Sequence, residues 1–402
     1  MVNQAEMERI KEHFAQIVAD QLARVERLKN EPDWFDYQAA PHITVGVCGG
    51  DGIGPFITGE AVRVLKYVLA PEISSGKIEF RTIEGLTIEN RAAQGKGLPD
   101  EVVTELHKCQ AVLKGPTTTP QRGDPWPNIE SANVSMRREL DLFANVRPVR
   151  VPSQGIDWMF FRENTEGAYI LGSRGVRVSE DLGFDFTAVT MQGSERLIRL
   201  AFDHAAKTGK NKVTVVHKAN IIKLTDGMFL DVAKDVAKDY PEVEWEDWIV
   251  DIMTAALVNP QRRTAFKVIA APNLYGDIIT DEAAEFQGGV GTAGSANLGK
   301  ANAMFEAIHG SAPRMVKEGR AQYANPTSMM VAGKMLLEHM GYADRAQKLD
   351  MALDICGQYE KKFVMTGRST GATGADYSNY VMETLADPKL EERWKAYAEA
   401  GK

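Results

Sequence analysis

Residues 4–30 place Met7, Ile10, Phe14, Ile17, Val18, Leu22, Val25 and Leu28 at spacings of three and four with charge between them. That rhythm predicts one amphipathic helix, ended by Pro32. Glu and Asp interrupt its basic residues, so it is expected to pack on its own protein or a sister subunit rather than on a membrane. From residue 42 the pattern changes. Apolar runs at 42–48 (HITVGVC), 111–114 (AVLK), 158–162 (WMFFR), 212–217 (KVTVVH) and 267–271 (KVIAA) read as buried strands. Residues 55–69, 194–207, 226–239 and 328–339 read as helices between them. Such alternation predicts an α/β fold with parallel strands. No repeat and no long linker interrupts it, so the chain is expected to cross between lobes.

Composition narrows the class. A chain of 402 residues is long enough for two or three structural units, and 44% hydrophobic with 25% charged residues is a globular balance. A formal net charge of -8 argues against nucleic acid, whose phosphates demand clustered Lys and Arg. A few local arginines can still hold a small anion. Cys48, Cys109 and Cys356 stand far apart with no CxxC spacing, which fits reduced thiols rather than a disulfide framework or a zinc site. No apolar run reaches the ~20 residues of a membrane span. The first residues lack a basic-then-apolar leader, so a cytoplasmic protein with no membrane partner is expected.

Candidate chemistry gathers at the ends of the strands. Residues 49–54 (GGDGIG) sit between strand and helix, but the spacing is not GxGxxG and Asp51 would repel a pyrophosphate; a tight structural turn is the alternative. Residues 114–120 (KGPTTTP) close a strand where α/β proteins place ligands. The stretch 131–150 (SANVSMRRELDLFANVRPVR) offers Ser131, Asn133, Arg137 and Arg147; on a helix over 132–142, Asn133 and Arg137 share a face. Arginine binds carboxylates in a bidentate fork, so this set suits a polyacid. Arg162, in RENTEGAY, points from a strand end, with Tyr169 beyond it as a possible proton donor. Lys218, in HKAN with Asn220, also ends a strand, and near other cations it would have a depressed pKa suited to acid–base work. Asp277 and Asp281, in NLYGDIITD, lie four apart and suit a hard divalent cation, or else begin a helix as ordinary dipole partners. Residues 306–313 (EAIHGSAP) read as a polar loop whose small residues let backbone approach a ligand such as adenine.

In this order GDGIGP, KGPTTTP, the Arg137–Arg147 block, FRENTEG, HKAN, NLYGDIITD and EAIHGSAP closely resemble the isocitrate/3-isopropylmalate dehydrogenase family of β-decarboxylating enzymes, from about residue 42 to beyond 345. The resemblance implies a two-lobed α/β fold distinct from the Rossmann dinucleotide fold, with the active site between the lobes and shared across a homodimer. Residues 1–40 would then be an N-terminal helical extension, 41–141 and 288–402 a large domain, and 142–287 a small domain with a dimer-forming clasp at about 167–191. It further implies that Arg137, Arg147 and Arg162 hold substrate carboxylates. Tyr169 and Lys218 would be the acid/base pair, with Lys218 and Asn220 supplied by the second subunit. Asp277 and Asp281 would bind Mg²⁺ or Mn²⁺ together with Asp251 from across the dimer. Thr118 and Thr119 would lie near the nicotinamide, and His309, Gly310, Ser311, Ala312, Arg314 and Asn325 along the adenosine half.

Ser131 and Asn133 decide the expected substrate. A hydroxyl and an amide can satisfy the third carboxylate of a tricarboxylate such as isocitrate, whereas an isopropyl branch would leave them unpaired. Isocitrate is therefore expected, with 3-isopropylmalate, homoisocitrate and tartrate or malate types as alternatives. A non-catalytic regulatory subunit is the other alternative, but such a subunit should lack metal or acid/base residues that are all present here. After HGSAP, NAD-specific relatives carry Asp and NADP-specific bacterial ones Lys-Tyr; Arg314-Met315 is neither, and an arginine favours the 2′-phosphate of NADP over NAD. The segment between residues 313 and 325, the loop 120–131 around Trp126, and QRRTAFK after Asp251 are longer than the usual pattern.

Overall fold

The computed structural model describes residues 4–121, 123–171, 174–289, 291 and 293–400. The chain divides into two units, Trp34–Leu140 with Gln287–Lys402, and Met1–Asp33 with Asp141–Phe286. The expected clasp at 167–191 includes Gly172 and Ser173, which lie outside the described residues.

In the first unit the sheet runs Ile78–Thr82, Ile43–Cys48, Ala111–Lys114, Ala303–Ala307, Gly294–Leu298. The first four strands are parallel; the last pair is antiparallel. Val45, Val112, Leu113 and Phe305 are fully buried, so these strands read as continuous apolar runs because both faces are covered. The helix Thr327–His339 packs on the two strands 294–298 and 303–307, and Gly54–Val68 packs on it in turn.

In the second unit the order is Ala144–Val151, Ile156–Glu163, Val268–Ala271, Lys212–His217, Glu244–Ile249. Here too the first pair is antiparallel and the others parallel. Trp158, Phe160, Ile269, Met253, Leu257 and Ile279 form its core. The helix Met191–Thr208 is capped by Thr190, whose hydroxyl accepts from Gly193 N at 3.0 Å, and ends at Gly209 in the left-handed region. The N-terminal helix Gln4–Leu28 belongs to this unit, touches Met191–Thr208, and buries Ile17 and Leu28.

The expected elements are present with ends shifted by a few residues, and the expected strands pair in parallel; two further strands, 144–151 and 294–298, add antiparallel pairs. Only residues 152–155 separate the strands 144–151 and 156–163, and only residues 299–302 separate 294–298 from 303–307. Connections this short cannot make a crossover, so each pair is antiparallel. One correction concerns Glu306: it lies inside the strand Ala303–Ala307, not in a polar loop.

Candidate active site

The richest cluster stands at the carboxyl ends of strands in the second unit. Arg162, nearly inaccessible to solvent at 1%, leaves the strand Ile156–Glu163 and crosses the first turn of the helix Asn273–Glu285. Gly276 allows that crossing, because a Cβ there would stand 2.5 Å from Arg162 Cγ. Arg162 Nε donates to Asn273 O at 3.0 Å, Nη2 donates to Asn273 Oδ1 at 2.8 Å, and Nη1 reaches Asp277. Arg147 comes from the antiparallel strand and donates to Asp281 at 2.9 Å and to Thr280 Oγ1 at 2.7 Å; its Nη2 lies 3.6 Å from Asp277. The Tyr169 hydroxyl donates to Asp277 Oδ2 at 2.5 Å, and the Arg162 guanidinium lies 5.1 Å from the Tyr169 ring. Arg147, Arg162, Tyr169, Asp277 and Asp281 thus stand together in one cluster.

Lys218 and Asp251 form a separate group in the same unit. The Lys218 ammonium pairs with Asp251, and that contact holds the Asp251 carboxyl below its ordinary range. The ionic partner of Lys218 here is this carboxylate rather than another cation. The backbone nearby is fixed by Asp226, which accepts from Lys218 N at 2.7 Å, and by His217, which accepts from Ala219 N at 3.0 Å and contacts Asp247 at 3.0 Å. Asn220 is exposed, as are Ile221, Ile222, Leu224 and Ile252 around it.

The first unit carries the other candidates. Glu306 is buried beside Lys114, its neighbour in register on the adjacent strand, with Nζ at 3.0 Å. Arg137 Nη2 stands 3.1 Å from the same carboxylate, and Asn297 donates to it at 2.8 Å. Burial alone would raise the Glu306 carboxyl, but Lys114 and Arg137 overcome it and hold it down at about 2. Arg137 Nε is buried with no hydrogen-bond partner among the described residues. Ser131 precedes the helix Ala132–Glu139 without capping it; its hydroxyl accepts from Thr119 at 3.3 Å. Asn133 Oδ1 accepts from Thr117 at 3.0 Å.

The glycine turn after the first strand is structural. Asp51 accepts from Ile88 N and Thr118 N, each at 2.7 Å, and Ile53 N donates to Ser311 O at 2.9 Å. This brings Thr118 Oγ1 to 2.7 Å from Ser311 Oγ. Ala312 follows with φ of 43°, a left-handed conformation that is uncommon for a residue with a side chain. His309 contacts the carbonyl of Gly310 at 2.9 Å, and burial holds its imidazole below the ordinary range. Asn325 Oδ1 accepts from Thr327 N at 3.0 Å, ahead of the helix Thr327–His339. Arg314 is exposed and pairs with Glu318 at 2.6 Å.

The family model for isocitrate/isopropylmalate dehydrogenase matches residues 44–363. The chain belongs to the isocitrate/isopropylmalate dehydrogenase family. It is 36% identical to "Isocitrate dehydrogenase [NAD] subunit 2, mitochondrial" of Schizosaccharomyces pombe, over 78% of this chain and 79% of that one. It is 37% identical to "Isocitrate dehydrogenase [NADP]" of Rickettsia prowazekii over 78% of its own length, spanning only 63% of that relative. "Homoisocitrate dehydrogenase" of Methanocaldococcus jannaschii is 31% identical over 85% of this chain and 99% of that one. The crystal structure of isocitrate dehydrogenase from Methylococcus capsulatus superposes with a TM-score of 0.74 at 34% identity, covering 86% of this chain and all of that one.

Within this dehydrogenase family the donor set fits a hard dication. Asp277 and Asp281 are both within reach of the one Arg147 guanidinium, and both remain partly open to solvent. Oxygen donors of this kind suit Mg²⁺ or Mn²⁺. Among the described residues no group of three acidic, His or Cys side chains stands together as a metal cage in one chain. Sequence reasoning missed Glu306 as a site residue, and with it the buried triad it forms with Lys114 and Arg137. An acid in the apolar run AMFEA was the available signal, since a buried carboxylate demands a cation.

Proposed function

We propose that the protein catalyses the oxidative decarboxylation of isocitrate to 2-oxoglutarate and CO₂ with reduction of NADP, as a homodimer whose copies complete each other's active sites. The observation that carries this reading is the cluster of Arg147, Arg162 and Tyr169 on Asp277 and Asp281: buried guanidiniums that can grip carboxylates, beside acids that can hold a dication. By its place in the family motif Arg137 would be a third cation for a tricarboxylate. When bound, a divalent cation on Asp277, Asp281 and Asp251 of a second copy would polarise the substrate's hydroxyl and, after decarboxylation, steady its enolate, while the nicotinamide would take the hydride. Arg147 and Arg162 orient the substrate. Lys218 of the second copy, already joined to Asp251, gives the hydroxyl proton a route away. Tyr169 delivers a proton to the carbon that has lost CO₂. The exposed apolar side chains Ile221, Ile222, Leu224 and Ile252 beside Lys218 support a second copy on that face.

Arg314, exposed at the start of the helix Pro313–Lys317, supports NADP over NAD as a partner for the 2′-phosphate. Ser131 and Asn133 support isocitrate over an apolar-branched malate. Homoisocitrate is the second reading, since the Methanocaldococcus relative is named for it. The three cysteines are buried and unpaired, which suits a reducing cytoplasm.

The test is purified protein with Mg²⁺ or Mn²⁺ against isocitrate, homoisocitrate, 3-isopropylmalate, tartrate and malate, each with NAD and NADP. Isocitrate with NADP should give the highest kcat/KM. A preference for 3-isopropylmalate would overturn the substrate, and no turnover of any acid would favour the regulatory subunit.

A further inference from the structure

The helix Gln4–Leu28 precedes the matched residues 44–363, yet one of its side chains reaches the turn just before the short helix Ala168–Leu171 that carries Tyr169. Arg24 pairs through Nη1 with the buried carboxylate of Glu166, and its Nη2 donates to Thr165 Oγ1 at 3.1 Å. Gly193 keeps the space open, since a Cβ there would stand 2.1 Å from Glu166 Oε1. Glu166 also accepts from Thr190 N at 2.9 Å. A second buried acid, Glu163, folds back and accepts from Thr165 N at 2.8 Å and from Glu166 N at 2.7 Å. Two carboxylates therefore hold one turn of chain, residues 163–167. Burial and the charge of Glu166 push the Glu163 carboxyl up, while the backbone N–H groups and Arg24 oppose the shift. Among the described residues the other cation facing the pair is Arg196, 3.0 Å from Thr165 Oγ1, and it is itself committed to Glu31 and Asp141.

The turn leads directly to the reacting groups. Glu166 O accepts from Asn273 Nδ2 at 3.0 Å, and Asn273 Oδ1 accepts from Arg162. Arg162 and Tyr169 then meet on Asp277. We propose that Arg24 is a positioning residue of the active site, its guanidinium on Glu166 fixing the turn that sets Arg162 and Tyr169, so that the N-terminal helix is a working part of the enzyme; this rests on the reading above of Arg162 and Tyr169 as groups that touch substrate. Without the cation two buried carboxylates face each other, and one must carry a proton for the turn to stay closed. In that case closure holds at low pH and is lost as pH rises through the raised pKa of Glu163.

The test compares full-length Arg24→Met and Arg24→Lys with the wild type, by amide hydrogen exchange over residues 164–171 and by isocitrate turnover from about pH 6 to about pH 9. Arg24→Met should lose protection in that loop. Its kcat should fall roughly ten- to a hundredfold with little change in KM, and the loss should deepen as pH rises. Arg24→Lys, which keeps the charge, should recover most of both. A lower melting temperature with wild-type kcat and a parallel pH profile would overturn the proposal, leaving Arg24 as a mere tie for the helix. If the wild type turns over no acid at all, the functional reading fails, and hydrogen exchange alone decides: protection lost only within residues 4–28 overturns the brace, and protection lost at 164–171 upholds it.

Discussion

In the proposed function, substrate choice turns on Ser131. A capping serine would be replaced by aspartate without loss, but Ser131 makes no capping bond and instead touches Thr119. If it faces the third carboxylate of isocitrate, Ser131→Asp sets like charges against each other. At ~4 Å and an effective dielectric near 20 that repulsion is on the order of 4 kcal/mol, or roughly a thousandfold in kcat/KM. Ser131→Ala should cost about one hydrogen bond, near tenfold or less. Equal activity of the two variants on isocitrate would remove Ser131 from the substrate. Residue types at fixed spacing made much of this legible: Asp277 and Asp281 four apart, and Asn133 with Arg137 four apart, each fall on one helix face. Glu306 was not legible in the same way. Its meaning depends on Lys114, almost two hundred positions earlier, and only strand register makes them neighbours.

The helix Asn273–Glu285 shows how an element yields its own preference to the site. Glycine inside a helix costs roughly 0.5–1 kcal/mol relative to alanine. Gly276 stays because Arg162 passes where a Cβ would be. Gly276→Ala should therefore leave helix content in circular dichroism unchanged while lowering kcat/KM by at least about tenfold, since a displaced Arg162 no longer meets Asp277 and Asn273. Wild-type activity in this variant would show that Arg162 has room to move and that its place is not critical. Helices and strands could be read from periodicity because each has its own repeat. Strand direction could not, because periodicity is blind to it; the short connections at 152–155 and 299–302 held that information.

At the scale of the molecule, the candidate groups are divided between the two units. One carries Ser131, Asn133, Arg137 and the Thr118–Ser311 contact; the other carries the Asp277 cluster and, apart from it, Lys218 with Asp251. The order of motifs along the chain made the family legible from sequence. The place of the N-terminal helix was not, because amphipathic spacing announces a buried face without naming what covers it, and the Arg24–Glu166 contact joins residues 142 positions apart. The central claim is a metal-assisted oxidation followed by loss of CO₂. Its most direct test is to follow reduced nicotinamide and released CO₂ together from isocitrate, with Mn²⁺ and after EDTA, in the wild type and in Asp277→Asn. Equal molar yields of the two products, both abolished by EDTA and by the substitution, are predicted. Reduced nicotinamide without CO₂, or undiminished turnover in EDTA, would contradict the account.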